Sequence, residues 1–560
     1  MRTGFAYGIS NNVFHIPLVL GWERLSTFEG DAYYQSLHKF TSIVWPLLTL
    51  VTNDTNIETV FLTAHVLSRG LAMVAVLAFL TVQLRMRPTE VFLAAVAIAL
   101  TPWLVGGSVI GGHGLWISYF THSEMTWGFL LLALMAAYAQ QWMWAAALAG
   151  LVFDINAFVG IWLVFMLGVA YCVQPPPQAW KQLLKSTGTF LVCSAPAIVW
   201  IVHSLDGAHI EFSFLEYVRA YFPDHFLIEA TNWRQRAIFI VFIVLGFTAT
   251  VLMPSPRYWF AVLAAAVVLF MVGAVLPYWL DHRLVFNLHL LRIGGVIQWL
   301  ATLMAIIGFA SSLTSIKSSN IPTYAMVGLL SLVMPEAEPT SLVVACASLA
   351  AIVWIERSPA DNWLSMMLRQ RAVVIGWIVL IITMEALRYG PSWTNSLRWI
   401  AMLAPIVGCR TQWSFWLWPL LAAAILVPQI ENRGHLVRAS LTPKPVLELA
   451  AWVRMAGIQG PILIEIDSGL DLLQTLTQQP VWVDKKQGAA VMWEPSFHSR
   501  WMSRYQDVRQ LSGTLGTTQF LAYARQHNIR YIVTRGEHGA CAEGSTQRYR
   551  NQAYLVCQVA

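Results

Sequence analysis

Charged residues are scarce in this sequence of 560 residues. Asp, Glu, Lys and Arg make up 11% of it, where an ordinary soluble domain has about 25%, and 57% of the residues are hydrophobic. This composition excludes a soluble globular protein of the usual kind. Apolar runs long enough to cross a bilayer, roughly 17 to 25 residues each, recur from Ile57 to Pro428. The sequence therefore predicts a multispanning membrane protein.

Cysteine is also rare, with six residues in the chain. Four of them lie in or beside apolar runs, where cysteine behaves as a small hydrophobic residue: Cys172, Cys193, Cys346 and Cys409. The other two, Cys541 and Cys557, flank the C-terminal tail. We predict a disulfide between these two, because the topology below places the tail in a compartment where oxidation is permitted. The alternative is a pair of free, buried thiols.

The C-terminal part lacks a glycine-rich phosphate loop, a zinc-ligand spacing and a nucleophile elbow. Its runs PILIEID and YIVTR are strand-like, and LELAAWVRMAG and TQFLAYARQHN have helical spacing, which together are typical of a small α/β domain. We predict an exported N-terminal region at 1–56, a polytopic helical domain at 57–430 and an extracytoplasmic α/β domain at 431–560. The α/β domain would support the helical domain or recognise substrate. Its segment 484–497 either faces the helical domain or forms a solvated charged turn.

About 11 to 14 spans fit the apolar runs. They are drawn at 57–84, 89–105, 124–140, a broken pair over 142–173, 186–205, 236–253, 258–279, 294–312, 322–334, 340–355, 372–387, 397–408 and 411–428. Short connections rich in Lys and Arg stay on the cytoplasmic side, and Arg85 and Arg87 anchor the alternation there. The same alternation exports 1–56, 106–123, 206–235, 280–293, 388–396 and everything after about residue 430. All the longer loops are thus predicted to face one non-cytoplasmic compartment.

The start of the chain is neither a signal peptide with an apolar centre nor a credible span. Because residues 1–56 are predicted to be exported, we expect a first helix ahead of them, lying upstream of this start or lost. The alternative is that the segment inserts by another route.

Carboxylates stand just before the first apolar run, in the segment STFEGDAYYQSLHKF. Asp31 near a membrane surface can accept a proton from a hydroxyl nucleophile, and partial desolvation would raise its proton affinity. Glu29 could share this work or bind a divalent cation. Tyr33 and Tyr34 follow as candidate substrate-binding residues. The alternative for Asp31 is an ordinary exposed loop acid.

Two exported loops combine basic residues with aromatic ones. The first holds Arg219 and His225, and the second holds His289 and Arg292. An arginine at the mouth of a span can hold a phosphate through two parallel hydrogen bonds, so we treat these four as candidate substrate-binding residues. The alternatives are an interfacial amphipathic helix for the first loop and snorkelling of Arg292 for the second.

Ionisable residues inside spans are functional candidates by default. His65 and Arg69 are four residues apart and share a helix face. Asp154 either acts in function or caps the second half of a broken helix pair. A weak metal signal without a fixed ligand spacing comes from His113, His122 and Glu124, and no metal site is predicted.

The order of these parts resembles the GT-C superfamily of membrane glycosyltransferases, and more narrowly a bacterial branch of it. The resemblance rests on four segments: NNVFHIPLVLGWERLSTFEGDAYYQS as a first exported loop, YVRAYFPDHFL, NLHLLRIGGVIQWLA, and VWVDKKQGAAVMWEPSFHSRWMSRYQ in the C-terminal domain. It implies transfer of a sugar from a polyprenyl-phosphate donor to an acceptor at the non-cytoplasmic face of the bacterial inner membrane, usually with inversion.

The resemblance also implies roles for individual residues. Asp31 matches the first-loop acid that serves as base or metal ligand, and Arg292 matches a basic residue near the donor phosphate. Ala32 follows Asp31 where better-known members have a second carboxylate, and the span expected ahead of the loop is absent.

Two other functions fit the same features. A transporter or flippase of lipid-linked saccharides would share them but should show internal repeats or paired broken helices. A non-catalytic subunit of an envelope polysaccharide assembly complex would use the C-terminal domain for docking. None of the three requires a nucleic acid, since basic cytoplasmic loops account for the formal net charge of +6.

Overall fold

Helices make up most of the structure, and a small sheet lies near the C-terminus. The computed structural model of the chain describes residues 3–204, 212–313, 321–333, 339–359, 362–368, 370, 376, 442–511, 518–538 and 540–560. The predicted spans at 372–387, 397–408 and 411–428, the exported segment 388–396 and Cys409 lie outside these residues.

The helices follow the apolar runs of the sequence. Before the first long helix lie α1 (Asn12–Leu20), α2 (Ala32–Ser36) and α3 (Val44–Thr49). The helical domain contains α4 (Ile57–Ala78), α5 (Pro88–Leu100), α6 (His122–Tyr138), α7 (Trp142–Ile155), α8 (Ala157–Val173), α9 (Ala179–Cys193), α10 (Ala195–Ser204), α11 (Phe214–Tyr221), α12 (Pro223–Phe226), α13 (Trp233–Thr250), α14 (Pro256–Trp279), α15 (Arg283–Asn287), α16 (Gly294–Ser312), α17 (Ile321–Val333), α18 (Pro339–Arg357) and α19 (Trp363–Leu368).

Five helical segments of the described chain are long and apolar enough to cross a bilayer, and the bent pair α9–α10 makes a sixth if it counts as one span. The five are Ile57–Gln83, Trp233–Thr250, Pro256–Trp279, Arg283–Ser312 and Pro339–Arg357. Their outer faces expose large apolar side chains, such as Leu67 and Val74 on α4 and Ile240 on α13. Such faces are costly in water and suit contact with lipid. The polytopic prediction is supported to this extent.

Helix α16 lies at the centre of the bundle, and its whole apolar stretch is buried. It packs against α5, α13, α14 and α17, because small residues along it let neighbouring backbones approach closely. Its Gln298 side-chain amide holds the loop that follows α5, donating to the Trp103 carbonyl (2.7 Å) and accepting from the Val109 N–H (2.9 Å). The central helix therefore fixes the loop at 106–121 above the bundle.

Two neighbouring polar residues cap two different helices. Asn156 breaks the predicted pair and caps α8, where its side chain accepts from the Val159 N–H. Asp154 instead accepts a hydrogen bond from the Ala197 N–H (3.0 Å) at the start of α10, the second half of the α9–α10 pair bent by 61°. The prediction that Asp154 caps the second half of the broken pair at 142–173 is therefore wrong, because Asn156 caps α8 and Asp154 bonds to α10 instead.

The C-terminal domain is an α/β unit, as the sequence predicts. Its helices are α20 (Lys444–Met455), α21 (Leu473–Thr477), α22 (His498–Leu511) and α23 (Thr518–Gln526), and its strands are β1 (Ile462–Ile464), β2 (Tyr531–Arg535), β3 (Ser545–Arg550) and β4 (Tyr554–Val559). The sheet order is β1-β2-β4-β3, with β1 parallel to β2 and the other pairs antiparallel. The predicted disulfide joins Cys541 to Cys557.

The segments predicted to be exported pack on one another. Trp493 donates its indole N–H to Ser36 Oγ (3.1 Å), and the Arg283 guanidinium donates to the Trp493 carbonyl (3.0 Å). The Tyr217 hydroxyl donates to the Gly488 carbonyl. The alternative of a fully solvated turn at 484–497 is thereby excluded, and the described longer loops lie on the same side of the bundle.

A buried carboxyl group joins the N-terminal region to the C-terminal domain. The Tyr34 hydroxyl donates to Gln474 Oε1 (3.1 Å), and Gln474 Nε2 donates to Asp484 Oδ2 (2.9 Å). Asp484 is only 1% exposed. Burial, with a contribution from Asp471, raises the pKa of Asp484 from 3.8 to about 8.

We expect this carboxyl group to make the protein less stable as the pH rises. Because its folded pKa is the higher one, its stabilising contribution is complete below about pH 4 and is lost as the pH approaches 8. The free energy of unfolding should fall by about 1.4 kcal/mol per pH unit in that window. Thermal unfolding of the full-length protein at several pH values measures this. Asp484→Asn should flatten the dependence, exposed Asp507→Asn should retain it, and an unchanged slope in Asp484→Asn would contradict the assignment.

Candidate functional site

Asp31 begins α2 as its N-cap. Its Oδ1 accepts hydrogen bonds from the N–H groups of Tyr33 (2.9 Å) and Tyr34 (3.4 Å), which satisfies two donors that the first helical turn leaves free. The other oxygen, Oδ2, accepts no hydrogen bond from any described residue. The carboxylate is thus fixed by one oxygen and open at the other.

A cavity of about 240 Å³ lies beside Asp31, between the N-terminal region and the C-terminal domain. The N-terminal wall includes Glu29, Asp31 and Tyr33. The opposite wall comes from the C-terminal domain and consists of Pro461, Pro480, Val481, Trp482, Gln487, Phe497, Arg500 and Arg504. The sequence analysis identified the first wall and missed the second.

Two opposing influences act on the Asp31 carboxyl group. Burial raises its pKa above the ordinary value of 3.8, and the hydrogen bonds from the Tyr34 and Tyr33 amides, with the charges of Arg504 and Arg500, oppose the rise. The net direction is upward. A carboxylate with raised proton affinity beside a cavity is suited to accept a proton from a bound hydroxyl.

Arg292 lies elsewhere, in a basic cluster at the N-terminal end of α16. It belongs to a short 3-10 helix, Leu290–Ile293, directly before α16. The guanidinium stands over the ring of Phe158 at 5.6 Å. The loop at 106–121 covers it, and Gly111 is essential there, because its φ is +79° and a Cβ atom would lie 2.7 Å from Cα of Arg292.

Histidines surround this arginine. His113, His225 and His289 interact electrostatically with Arg292 and with one another. Burial, with the charges of Arg292 and Lys486, lowers the pKa of His225 to about 3, and burial lowers the pKa of His113 well below 6.5. These two imidazoles are therefore neutral at physiological pH and can donate or accept hydrogen bonds without adding charge.

The positive charge of Arg292 has no carboxylate partner among the described residues. Its Nε is buried without a hydrogen-bond partner, as is Nδ1 of His225 and of His289. The acidic group that interacts with the guanidinium is the Tyr119 hydroxyl. The Arg292 side chain is half-buried, and a partly desolvated cation without a counter-ion is unfavourable, so the cluster is a candidate anion-binding site.

One segment of the C-terminal domain lies near both the Asp31 cavity and the Arg292 cluster. Gln487 lines the Asp31 cavity, and its neighbour Lys486 interacts electrostatically with His225 of the cluster. Asp31 and Arg292 therefore flank the segment 484–492, and Arg292 is not among the residues that line the cavity.

The remaining predicted site residues have other partners. Arg219 forms an exposed ion pair with Glu229 (2.8 Å) and does not join Arg292. Tyr34 is fully buried with its hydroxyl on Gln474, and it lies behind the cavity wall. Tyr33 lines the cavity, and its buried hydroxyl lacks a partner within the described chain.

The polar residues predicted inside the spans form a buried hydrogen-bonded triad. Glu124 binds Nδ1 of His65 (2.8 Å) through one oxygen and Nε of Arg69 (2.5 Å) through the other. The shared helix face of His65 and Arg69 is confirmed. Both carboxylate oxygens of Glu124 bind within this triad. Within the described ranges no group of three metal-ligating side chains is arranged to hold an ion. The Asp31 cavity, with two carboxylates and two arginines, does not fit a divalent cation.

A sequence signal for the missed arginines exists in retrospect. Arg500 and Arg504 are four residues apart on α22 and so share a helix face.

In comparisons with known proteins, no family model and no curated protein matches the chain.

Proposed function

We propose that this chain is a polytopic membrane glycosyltransferase that transfers a sugar from a polyprenyl-phosphate donor to an acceptor. The observation that carries the proposal is the half-buried guanidinium of Arg292 at the N-terminal end of the central helix, whose Nε is buried and which has no carboxylate partner in the described chain. A phosphate carried by a membrane lipid would supply the missing negative charge. A guanidinium can hold it by two parallel hydrogen bonds.

The histidines of the cluster would complete the phosphate site. Nδ1 of His225 and of His289 are buried and without partners in the described part of the chain. Each can donate a hydrogen bond to a phosphate oxygen in the matching tautomer. As the sugar departs, the negative charge that grows on the lipid phosphate would be stabilised by Arg292 and these donors.

Asp31 would act as the general base. The acceptor hydroxyl transfers its proton to Oδ2, its oxygen forms a bond to the anomeric carbon, and the bond from that carbon to the phosphate oxygen breaks. The bonding electrons leave with the lipid phosphate. Attack from the side opposite the leaving group inverts the anomeric carbon. Because the anomeric carbon is bonded directly to the phosphate held at Arg292, the proposal requires the acceptor hydroxyl at Asp31 to reach that carbon.

The proposal includes a finer topology than the described helices establish. It places about 11 to 14 spans of a GT-C-like fold in the bacterial inner membrane, with the C-terminal domain in the periplasm. The packing of the longer loops against that domain supports a single extracytoplasmic surface. Partners would be membrane lipid and the machinery of envelope polysaccharide assembly.

A labelled-donor assay tests the proposal. The full-length protein is reconstituted in vesicles with a radiolabelled polyprenyl-phosphate sugar and a panel of hydroxylated acceptors. Transfer of label to an acceptor supports the enzyme. Movement of the donor across the vesicle membrane without transfer supports a flippase, and neither activity supports a non-catalytic subunit.

A flippase of lipid-linked saccharides is the second candidate, and one observation favours it. The α9–α10 pair is bent by 61° and the α7–α8 pair is interrupted at Asn156, so two neighbouring breaks occur where the sequence analysis found one. Broken helices of this kind often build transport sites. Asn156 caps α8, and the Asp154 carboxyl group accepts from the Ala197 N–H of α10, so both side chains have a structural role at these breaks.

A further inference from the structure

The Asp31 cavity has charges of opposite sign on its two walls. Asp31 and Glu29 belong to the N-terminal wall, whereas Arg500 and Arg504 belong to the wall formed by α22. Arg504 is held in place, since its guanidinium stacks on Trp482 at 3.7 Å and donates to the Trp482 carbonyl (3.3 Å). Its orientation is therefore set before any ligand enters.

The arginines of one wall form no ion pair with the acids of the other wall. Both arginines are close enough to Asp31 to act on its carboxyl group, yet no ion pair within 4 Å joins either of them to an acid of the described chain. The cavity of about 240 Å³ adjoins all four charged side chains. A ligand placed there meets a proton acceptor on one wall and guanidinium donors on the other.

The hydroxyl of Tyr33 does not open onto this cavity. The residue lines the cavity but is only 1% exposed, and its hydroxyl oxygen is buried without a partner among the described residues. A ligand hydroxyl in the cavity therefore reaches Asp31 and not the Tyr33 hydroxyl.

We infer that the Asp31 cavity binds an acidic saccharide unit, with a hydroxyl directed to Asp31 and an anionic group held by Arg500 and Arg504. This inference rests on the proposed function, in which that unit is the acceptor. The anionic group is a carboxylate or a phosphate, because guanidinium groups bind both. The volume is slightly below the 300 to 1,000 Å³ of a typical ligand pocket, so it suits one sugar unit rather than a longer chain.

Titration of the full-length protein in lipid nanodiscs tests the inference. The probes are glucuronate, glucose 6-phosphate, methyl glucoside and glucosamine, and their dissociation constants are measured by calorimetry. One or both anionic probes should bind about tenfold more tightly than methyl glucoside. The stronger of the two identifies carboxylate or phosphate as the preferred group. Equal binding of anionic and neutral probes, tighter binding of glucosamine, or binding of no probe would overturn the inference.

Substitutions test whether the tighter binding of anionic probes arises in this cavity. Arg504→Gln and Arg500→Gln should each weaken binding of the anionic probes by about tenfold and leave methyl glucoside unchanged. Because Arg500 is exposed, its replacement also tests the site if loss of the Arg504 stacking unfolds the domain. Arg509→Gln, an exposed change on the same helix and outside the cavity, should bind all probes as the wild type does. Discrimination that persists in Arg500→Gln and Arg504→Gln would contradict the assignment.

Asp31→Asn separates this inference from the proposed function. Removal of the carboxylate charge should tighten binding of the anionic probes while transfer is lost. If the anionic probes bind more tightly and transfer continues, the binding site stands and the proposed role of Asp31 fails. If transfer is lost and neutral probes bind as well as anionic ones, the proposed function stands and the acidic acceptor is excluded.

Discussion

Asp31→Asn should lower the rate of sugar transfer by about 10²- to 10⁴-fold, the range for loss of a general base. The asparagine amide cannot accept the proton of the acceptor hydroxyl. Its carbonyl oxygen can still accept the hydrogen bonds from the Tyr33 and Tyr34 N–H groups that Asp31 accepts in the structure, and asparagine is as good an N-cap as aspartate. The variant should therefore fold normally, and turnover with the labelled donor measures the loss.

Two further measurements test whether the loss of activity is specific to the Asp31 carboxylate. Asp54→Asn, an exposed acid of the same N-terminal region, should retain full activity. Because burial raises the pKa of Asp31 above 3.8, wild-type activity should fall with decreasing pH at a value above that of an ordinary aspartate. Full activity of Asp31→Asn, with an unchanged pH profile, would remove Asp31 from the mechanism.

Arg292→Gln should weaken donor binding by about 10- to 100-fold, since hydrogen bonds to a charged group contribute about 1.5 to 3 kcal/mol. If the guanidinium also stabilises the departing phosphate, kcat should fall together with the rise in KM. Arg292→Lys should restore only part of the activity, because an ammonium keeps the charge and loses the two-pronged geometry. Steady-state kinetics with the labelled donor distinguish these effects.

The stability of Arg292→Gln provides an independent readout. A partly desolvated charge without a carboxylate partner in the described chain contributes little to the stability of the fold, so its removal should leave the melting temperature unchanged or raise it. Arg234→Gln, an exposed change near the start of α13, is the matched control for loss of one positive charge on this surface. A large drop in melting temperature with unchanged donor affinity would instead assign Arg292 a structural role.

Most of the secondary structure could be predicted from local patterns. The apolar runs became helices near their predicted bounds, as in α14, predicted at 258–279 and observed at Pro256–Trp279. The strand-like runs PILIEID and YIVTR became neighbouring strands. These predictions succeed because a span or a strand is decided by hydropathy and periodicity over a short stretch of chain.

The candidate site was only half predictable. Asp31, Glu29 and Tyr33 were identified because carboxylates and tyrosines stand out beside an apolar run. Arg500 and Arg504 were not, since arginines on a polar helix in a soluble domain are ordinary until the partner wall is known. The exposed ion pair between Arg219 and Glu229 could not be predicted either, because it depends on how the loop folds back.

By itself, the sequence determined that the chain is apolar enough for a membrane, that its C-terminal part is an α/β domain, and that Cys541 and Cys557 can pair. Only the tertiary structure decided that Asp31 faces Arg504 across a cavity and that Arg292 gathers histidines from three loops around it. The physical reason is that hydropathy and backbone hydrogen bonding act along neighbouring residues. The meeting of distant side chains depends instead on how the loops between helices pack against the C-terminal domain.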